Sequence, residues 1–299
     1  MATRAGGRLR GLRPTHPRDR FPTSDDAPPP VARDDGRTVL RLLSYNIQAG
    51  IATAAFHRYV TGSWKHVLPH PGRMRNLDAV ARVAMPFDIV GLQEVDSGSL
   101  RSHFINQTEY LAQHGHFPFW HTQTNRKLGK FAQHAIGMLT RFRPTEIVEY
   151  KLPGMIPGRG ALGATWRTPG GDLDVFVVHL ALGRRARVSQ LAYLTELVMM
   201  RPHVVVMGDL NCRSESPELR RFRARANLSE PACELHTFPS WCPAHSIDHI
   251  LVSQKLAVTG LRVVNYPLSD HLPVAIDVIL PAGLHLPVAP IRTQQSAVA

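Results

Sequence analysis

Val204-Val205-Val206-Met207-Gly208-Asp209-Leu210-Asn211 reads as a buried strand that delivers polar groups where it ends. An unbroken apolar run rich in β-branched residues predicts a strand covered on both faces. Asp209 and Asn211 follow it, two positions apart. Residues i and i+2 of an extended chain point to the same side, so the pair is expected to face one small volume. Gly-Asp-Leu-Asn is also an ordinary turn sequence. Its meaning comes from recurrence.

The same arrangement appears elsewhere in the chain. Val39–Tyr45 runs into Asn46, Asp88–Gln93 into Glu94, and Val175–Val178 into His179. Late in the chain, Asp248-His249 precedes Ile250-Leu251-Val252, and Asp270-His271 precedes Leu272–Ile276. Any one of these polar residues would pass as a turn former or a surface group. Together they place carboxylates, amides and imidazoles at strand boundaries throughout the chain, and a rigid sheet with polar groups at its strand ends is how many α/β sites are built. Carboxylate and amide oxygens without a thiolate suit Mg²⁺ or Mn²⁺ better than Zn²⁺.

Helical patterns separate the strands. Residues 73–85 and 185–200 carry apolar stripes at helical spacing, followed by Pro86 and Pro202, and 217–226 reads as a shorter basic helix. Residues 133–141, 146–151, 161–167 and 172–180 read as strands with hairpin-like connections, Pro169-Gly170-Gly171 turning between the last two. Strands joined both by helices and by hairpins predict mixed sheets covered by helices, an α/β (α+β) class. No internal repeat is evident.

Residues 1–37 differ from the rest: six arginines fall in the first 20 positions, and Pro28-Pro29-Pro30 and Asp34-Asp35-Gly36 follow. They offer little to a core and are expected to form a disordered tail. The domain is expected over 38–281, with 282–299 a C-terminal tail. The tail lacks the apolar middle of a secretory signal, and no apolar run approaches the roughly 20 residues that cross a membrane. Net charge is +12, of which residues 1–20 supply +5, so the remaining +7 makes the folded part basic as well. Basic charge suits a polyanionic or anionic-surface partner and governs association, not chemistry. Cys212, Cys233 and Cys242 are odd in number and form no Cys-X-X-Cys pair. A zinc site or disulfide framework is not expected, and the thiols read as reduced ones of a cytoplasmic protein.

Ser44-Tyr45-Asn46, Leu92-Gln93-Glu94-Val95, Val178-His179-Leu180, Gly208-Asp209-Leu210-Asn211, Ile247-Asp248-His249-Ile250 and Ser269-Asp270-His271-Leu272-Pro273-Val274 together resemble the ordered motif set of the endonuclease/exonuclease/phosphatase family. The resemblance implies a four-layer sandwich, two packed mixed β-sheets flanked by helices, and divalent-metal-dependent phosphoester hydrolysis. It implies metal ligation by Glu94, with Asn46 beside it and Asp270 completing the set directly or through water. Asp209 would orient or deprotonate the attacking water, and Asn211 would hold that water or a phosphoryl oxygen. His271 paired with Asp248 would be cationic and face the phosphate, and His179 would donate to a phosphoryl oxygen or assist the leaving group. His271 as base with Asp209 as stabiliser is a competing assignment within the same motif set.

Two positions depart from relatives. Gln48 stands where some nuclease relatives carry a metal-binding Asp, and Ile136 stands where a family strand often has Asn, so a phosphate contact there is absent or supplied by a neighbour such as His134. Cationic and aromatic residues gather in the insertion Gly50–Arg73, in Arg126-Lys127 with Lys130, and in Pro157-Gly158-Arg159-Gly160. They suit stacked bases with phosphates, and they suit a lipid headgroup at an anionic membrane surface equally well. Three readings follow: a phosphodiesterase or phosphatase acting on a small or lipid-like phosphoester, a Mg²⁺-dependent nuclease on DNA or RNA, and a non-catalytic phosphate-binding protein. A monomer is expected.

Overall fold

Two sheets divide the chain in the computed structural model, which describes residues 31–32, 38–51, 72–154, 158–230 and 235–286. The first contains β1 (Val31–Ala32), β2 (Thr38–Asn46), β3 (Ile89–Asp96), β4 (Phe119–Leu128), β5 (Ala132–Thr140), β12 (Ala257–Val263) and β13 (Val274–Ile279). Its order is β12-β13-β2-β3-β5-β4, with β1 paired to β2. The second contains β6 (Glu146–Lys151), β7 (Gly160–Thr168), β8 (Gly171–His179), β9 (His203–Asp209), β10 (Leu228–Ser229) and β11 (Asp248–Ser253), ordered β10-β11-β9-β8-β7-β6. Each sheet has one parallel pair, β2–β3 and β8–β9, among antiparallel neighbours.

Alternation along the strands builds three apolar layers. Val205 and Met207 of β9, Val175 and Val177 of β8, Leu40 and Leu42 of β2 and Trp166 of β7 meet between the sheets. Val204, Val206, Phe176 and Val178 point the other way, against Leu191, Leu194 and Val198 of α3 (Arg184–Val198) and Leu219 and Phe222 of α4 (Pro217–Ala226). On the far side, Leu43, Tyr45, Val90 and Leu92 cover Leu77, Val80 and Ala84 of α1 (Gly72–Ala84) and Leu111 of α2 (Gln107–His114). The central strands are buried on both faces, which is why their sequences run apolar without a break. The result is the expected sandwich of helices, two mixed sheets and helices.

The helices expected over 73–85, 185–200 and 217–226 are α1, α3 and α4. Strands β4 and β12 and helix α2 escape the sequence pattern. β4 and β12 are edge strands with mostly half-exposed or exposed residues, so neither shows an apolar face. α2 is a short helix started by Asn106, whose side chain accepts from the N–H groups of Thr108 and Glu109. Val31–Ala32, inside the segment expected to be a tail, pairs with Val39 and Thr38. Leu284 and Leu286 close the inner core beyond residue 281. Most of the 50–73 insertion lies outside the described residues. Arg73 is not a loop cation but a buried residue in the first turn of α1.

Gly208 is the tightest point of the second sheet. It has φ +152, and a Cβ there would lie 1.9 Å from the carbonyl oxygen of Val178 on the parallel neighbour. Any side chain must push β8 and β9 apart just before His179 and Asp209. Gly208→Ala is expected to cost about 2–4 kcal/mol, read as a lower midpoint in urea unfolding. An unchanged midpoint would show that this approach is not as tight as described.

Candidate active site at the shared strand ends

The two parallel pairs end on the same rim. Asn46 closes β2 opposite Gln93 of β3, and His179 closes β8 opposite Asp209 of β9. β11 runs antiparallel to β9 and begins with Asp248 opposite Asp209. β13 runs antiparallel to β2, Val274 opposite Ser44, so the residues just before it, Asp270 and His271, return to the rim. Glu94 reaches it through a bulge: β3 slips register against β5 between Leu92 and Val95, and Glu94 takes φ +54. Such a bulge re-aims a side chain that regular alternation would send elsewhere.

Seven of the eight residues singled out from the sequence are linked by side-chain contacts there. Asn46 Nδ2 donates to Asp209 Oδ2 at 3.2 Å, a buried bond from one sheet to the other. His179 Nε2 lies 3.4 Å from the same Asp209 oxygen and 3.9 Å from Glu94 Oε1. His271 Nδ1 donates to Asp248 Oδ2 at 2.8 Å. Asp209, Asp248 and His271 each bring one ligand-type atom within 4.8 Å of the others. Gln48 Nε2 donates to Asp270 Oδ2 at 3.0 Å, and the Gln48 N–H donates to Asn46 Oδ1 at 3.2 Å.

Asn211 behaves differently from the simple alternation. β9 ends at Asp209 and Asn211 has φ +52, so the i, i+2 rule no longer applies. Its N–H donates to Asp209 Oδ1 at 3.0 Å, and its carboxamide donates to the Leu180 carbonyl at 3.1 Å. Gly-Asp-Leu-Asn forms the turn rather than continuing the strand, and the turn fixes the Asp209 carboxylate.

Charge is distributed unevenly over these groups. Burial alone would raise Asp209, but the hydrogen bond from His179 and the charges of His271 and His179 hold it well below the usual carboxylate range. Burial works against protonated His271, yet Asp248, then Asp209 and Asp270, push it up to about 10. Asp270 is raised to about 6, by burial first and also by the nearby charge of Glu94, against the opposing pull of His271. The rim therefore holds an ionised Asp209, a protonated His271 and a pair of acids crowded together.

The sequence profile described as Endonuclease/Exonuclease/phosphatase family matches residues 43–271. The chain belongs to that family. Solved structures of similar fold include a family member from Bacteroides thetaiotaomicron at 20% identity, covering 82% of this chain and 99% of that one with a TM-score of 0.62. A mannosyl-6-phosphatase from the same organism matches at 19% identity, covering 81% and 100%, TM-score 0.60. The human Nocturnin catalytic domain with bound sulfate matches at 18% identity, covering 82% and 97%, TM-score 0.58. No curated protein sequence matches the chain.

Two observations fit a divalent cation of the kind this family uses. Gln48 Oε1 is buried and accepts no hydrogen bond among the described residues, although its amide nitrogen is bound to Asp270. Asp270 is raised by burial and also by Glu94, against the pull of His271, and a cation bound between the two acids would lower it. Glu94, Asp270, Asn46 and Gln48 offer only oxygens as ligands, the donor set of a hard cation. Gln48, which stands where some nuclease relatives carry an Asp, is thus bonded to two of the residues singled out from the sequence, Asn46 and Asp270.

Other residues sort plainly. Ile136 points into the inner core, while its neighbour His134 lines the cavity beside Glu94. Cys212 is buried in the outer core, where burial raises its thiol to about 11. Cys233 lies outside the described residues. His249 is a packed structural histidine bonded to Glu230 and to the Cys212 carbonyl. Sequence reading missed Thr237, whose hydroxyl donates to Asp248, and Ser269, whose hydroxyl donates to Asp270 Oδ1 at 3.1 Å. A lone Thr far from any motif carries no such signal, whereas Ser269 opens the motif Ser269–Val274 and only its role went unread. Among the described residues, no helix is long and apolar enough to cross a membrane.

In cation-free protein, His271 is expected to remain protonated at pH 8, and Asp248→Asn to return its titration toward the ordinary value near 6.5. Imidazole ¹⁵N shifts measured against pH check both. A neutral His271 at pH 8 would contradict the electrostatic account.

Proposed function

We propose that the chain is a divalent-metal-dependent phosphoester hydrolase, acting on phosphomonoesters or phosphodiesters with water as nucleophile. The observation that carries the reading is that the oxygen-bearing side chains of Asn46, Gln48 and Asp270 are joined by hydrogen bonds, with Glu94 close enough to act on Asp270, beside an ionised Asp209 and a protonated His271. Family membership supports it, as do the mannosyl-6-phosphatase and the sulfate-bound Nocturnin domain among similar folds.

Glu94 and Asp270, with the amide oxygens of Asn46 and Gln48, would hold Mg²⁺ or Mn²⁺. When bound, the cation supplies positive charge at a phosphate oxygen. The remaining work falls to the chain. Asp209, held in place by Asn46 and by the Asn211 turn, orients the attacking water and accepts its proton as the new P–O bond forms and the ester P–O bond breaks, the departing alkoxide taking its proton from solvent. A protonated His271 has no free nitrogen lone pair for that proton, which favours Asp209 of the two assignments that the motifs leave open. It serves as a donor through Nε2, since Nδ1 is committed to Asp248. His179 lies between Glu94 and Asp209 and faces the same phosphate.

Asp209→Ala and His271→Ala are each expected to lower kcat by at least about 10²-fold on an activated aryl phosphoester in Mg²⁺. Chelation is expected to abolish turnover. Full activity in chelator, or unchanged rates in both variants, would overturn the reading. The same protein offered plasmid DNA, RNA and sphingomyelin separates a nuclease or a lipid phosphodiesterase from a small-molecule hydrolase. Phosphate binding without turnover of any of them would mark a binding protein.

Metal affinity should also depend on pH. Below about pH 6, Asp270 carries a proton that a cation must displace. Mg²⁺ affinity is therefore expected to fall up to about tenfold per pH unit below 6. Calorimetry in buffers of different ionisation heat reads the proton released, and pH-independent affinity between 5 and 7 would remove Asp270 from the ligand set.

A further inference from the structure

We propose that the cavity beside Glu94 and His179 selects a small organic phosphoester carrying a second anionic group. The inference rests on the hydrolase reading and names its substrate class.

The cavity holds about 790 Å³ and opens from Glu94 and His179. That is the size of a site for a mononucleotide or sugar phosphate. Pro153, Leu182 and Ala186 give it apolar wall, and Arg126, Arg159 and Arg185 bring three guanidinium groups to it. Several arginines elsewhere in the fold are held by carboxylates. Arg41 pairs with Asp88, Arg101 with Asp96, Arg201 with Asp174 and Arg223 with Glu230. Among the described residues, none of the three cavity arginines pairs with a carboxylate. The contrast is sharpest at the start of α3, where Arg184 and Arg187 both pair with Glu218, while Arg185 lines the cavity.

The three are held by separate elements. Arg126 follows a register slip of β4 against β5. Gly158, at φ +120, lets its loop pass so close that a Cβ there would lie 3.2 Å from Arg126 Cβ. Arg159 comes next and its guanidinium touches His179 Nε2. Burial lowers its pKa, and Asp209 and Glu94 pull the other way. Arg159 is therefore placed at the reacting phosphate. Arg126 and Arg185 line the same cavity from β4 and α3, without a carboxylate partner among the described residues. A second phosphate or carboxylate on the substrate fits them, since guanidinium binds either through paired N–H donors.

The test compares matched substrates in Mg²⁺: adenosine 3′,5′-bisphosphate against adenosine 5′-monophosphate, and 3-phosphoglycerate against glycerol 3-phosphate. The first pair adds a phosphate and the second a carboxylate. The doubly anionic member of at least one pair is expected to show kcat/KM about tenfold or more higher, expressed in KM. The double variant R126A/R185A is expected to bring that ratio to about one. Equal kcat/KM within both pairs, or a wild-type ratio in the variant, overturns the proposal. Calorimetry with Ca²⁺ in place of Mg²⁺ separates this proposal from the hydrolase reading. Tighter binding of the doubly anionic ligand without hydrolysis in Mg²⁺ supports the cavity assignment and overturns the hydrolase reading. Hydrolysis with equal affinity within both pairs does the reverse.

Discussion

Asp209 is a buried carboxylate that must find its counter-charges and donors from both sheets at once. A buried ionised acid is tolerated only when it is paired and hydrogen-bonded. Its own sheet supplies His179 and the Asn211 turn, and the opposite sheet supplies Asn46. Packing the sheets and assembling the site are consequently one event. The inner core brings β2 and β9 together, and the bond from Asn46 to Asp209 sets how their ends align.

The rim owes its chemistry to strand direction. Parallel pairs β2–β3 and β8–β9 bring Asn46, Glu94, His179 and Asp209 to their C-terminal ends. The antiparallel strands β11 and β13 start there, so Asp248, Asp270 and His271 arrive from the opposite chain direction. Acids on one side are crowded, burial and Glu94 raising Asp270, while His271 on the other is kept charged by Asp248. Opposed environments of this kind divide roles among like residues.

Much of this was legible in the sequence because the central strands are buried on both faces. Their apolar runs stand out, and a polar residue at the end of such a run is conspicuous, as with Asp209 after Val204–Met207. The edge strands β4 and β12 were not legible, since exposure removes the apolar pattern. Arg159 and Arg126 were visible only as loop cations. What distinguishes them is that they line one cavity with Glu94 and His179, a property of the folded chain. The positive φ of Glu94 was hidden as well, because a bulge is set by the register of two strands and not by the local sequence. Thr237 depends on a contact that no pattern announces.

Anomalous diffraction from crystals grown with Mn²⁺ measures the central claim most directly. The account predicts one strong Mn²⁺ peak bound by Glu94 and Asp270, with Asp209 left free to face the substrate. A peak seated instead among Asp209, Asp248 and His271, the other group able to hold an ion, would contradict it.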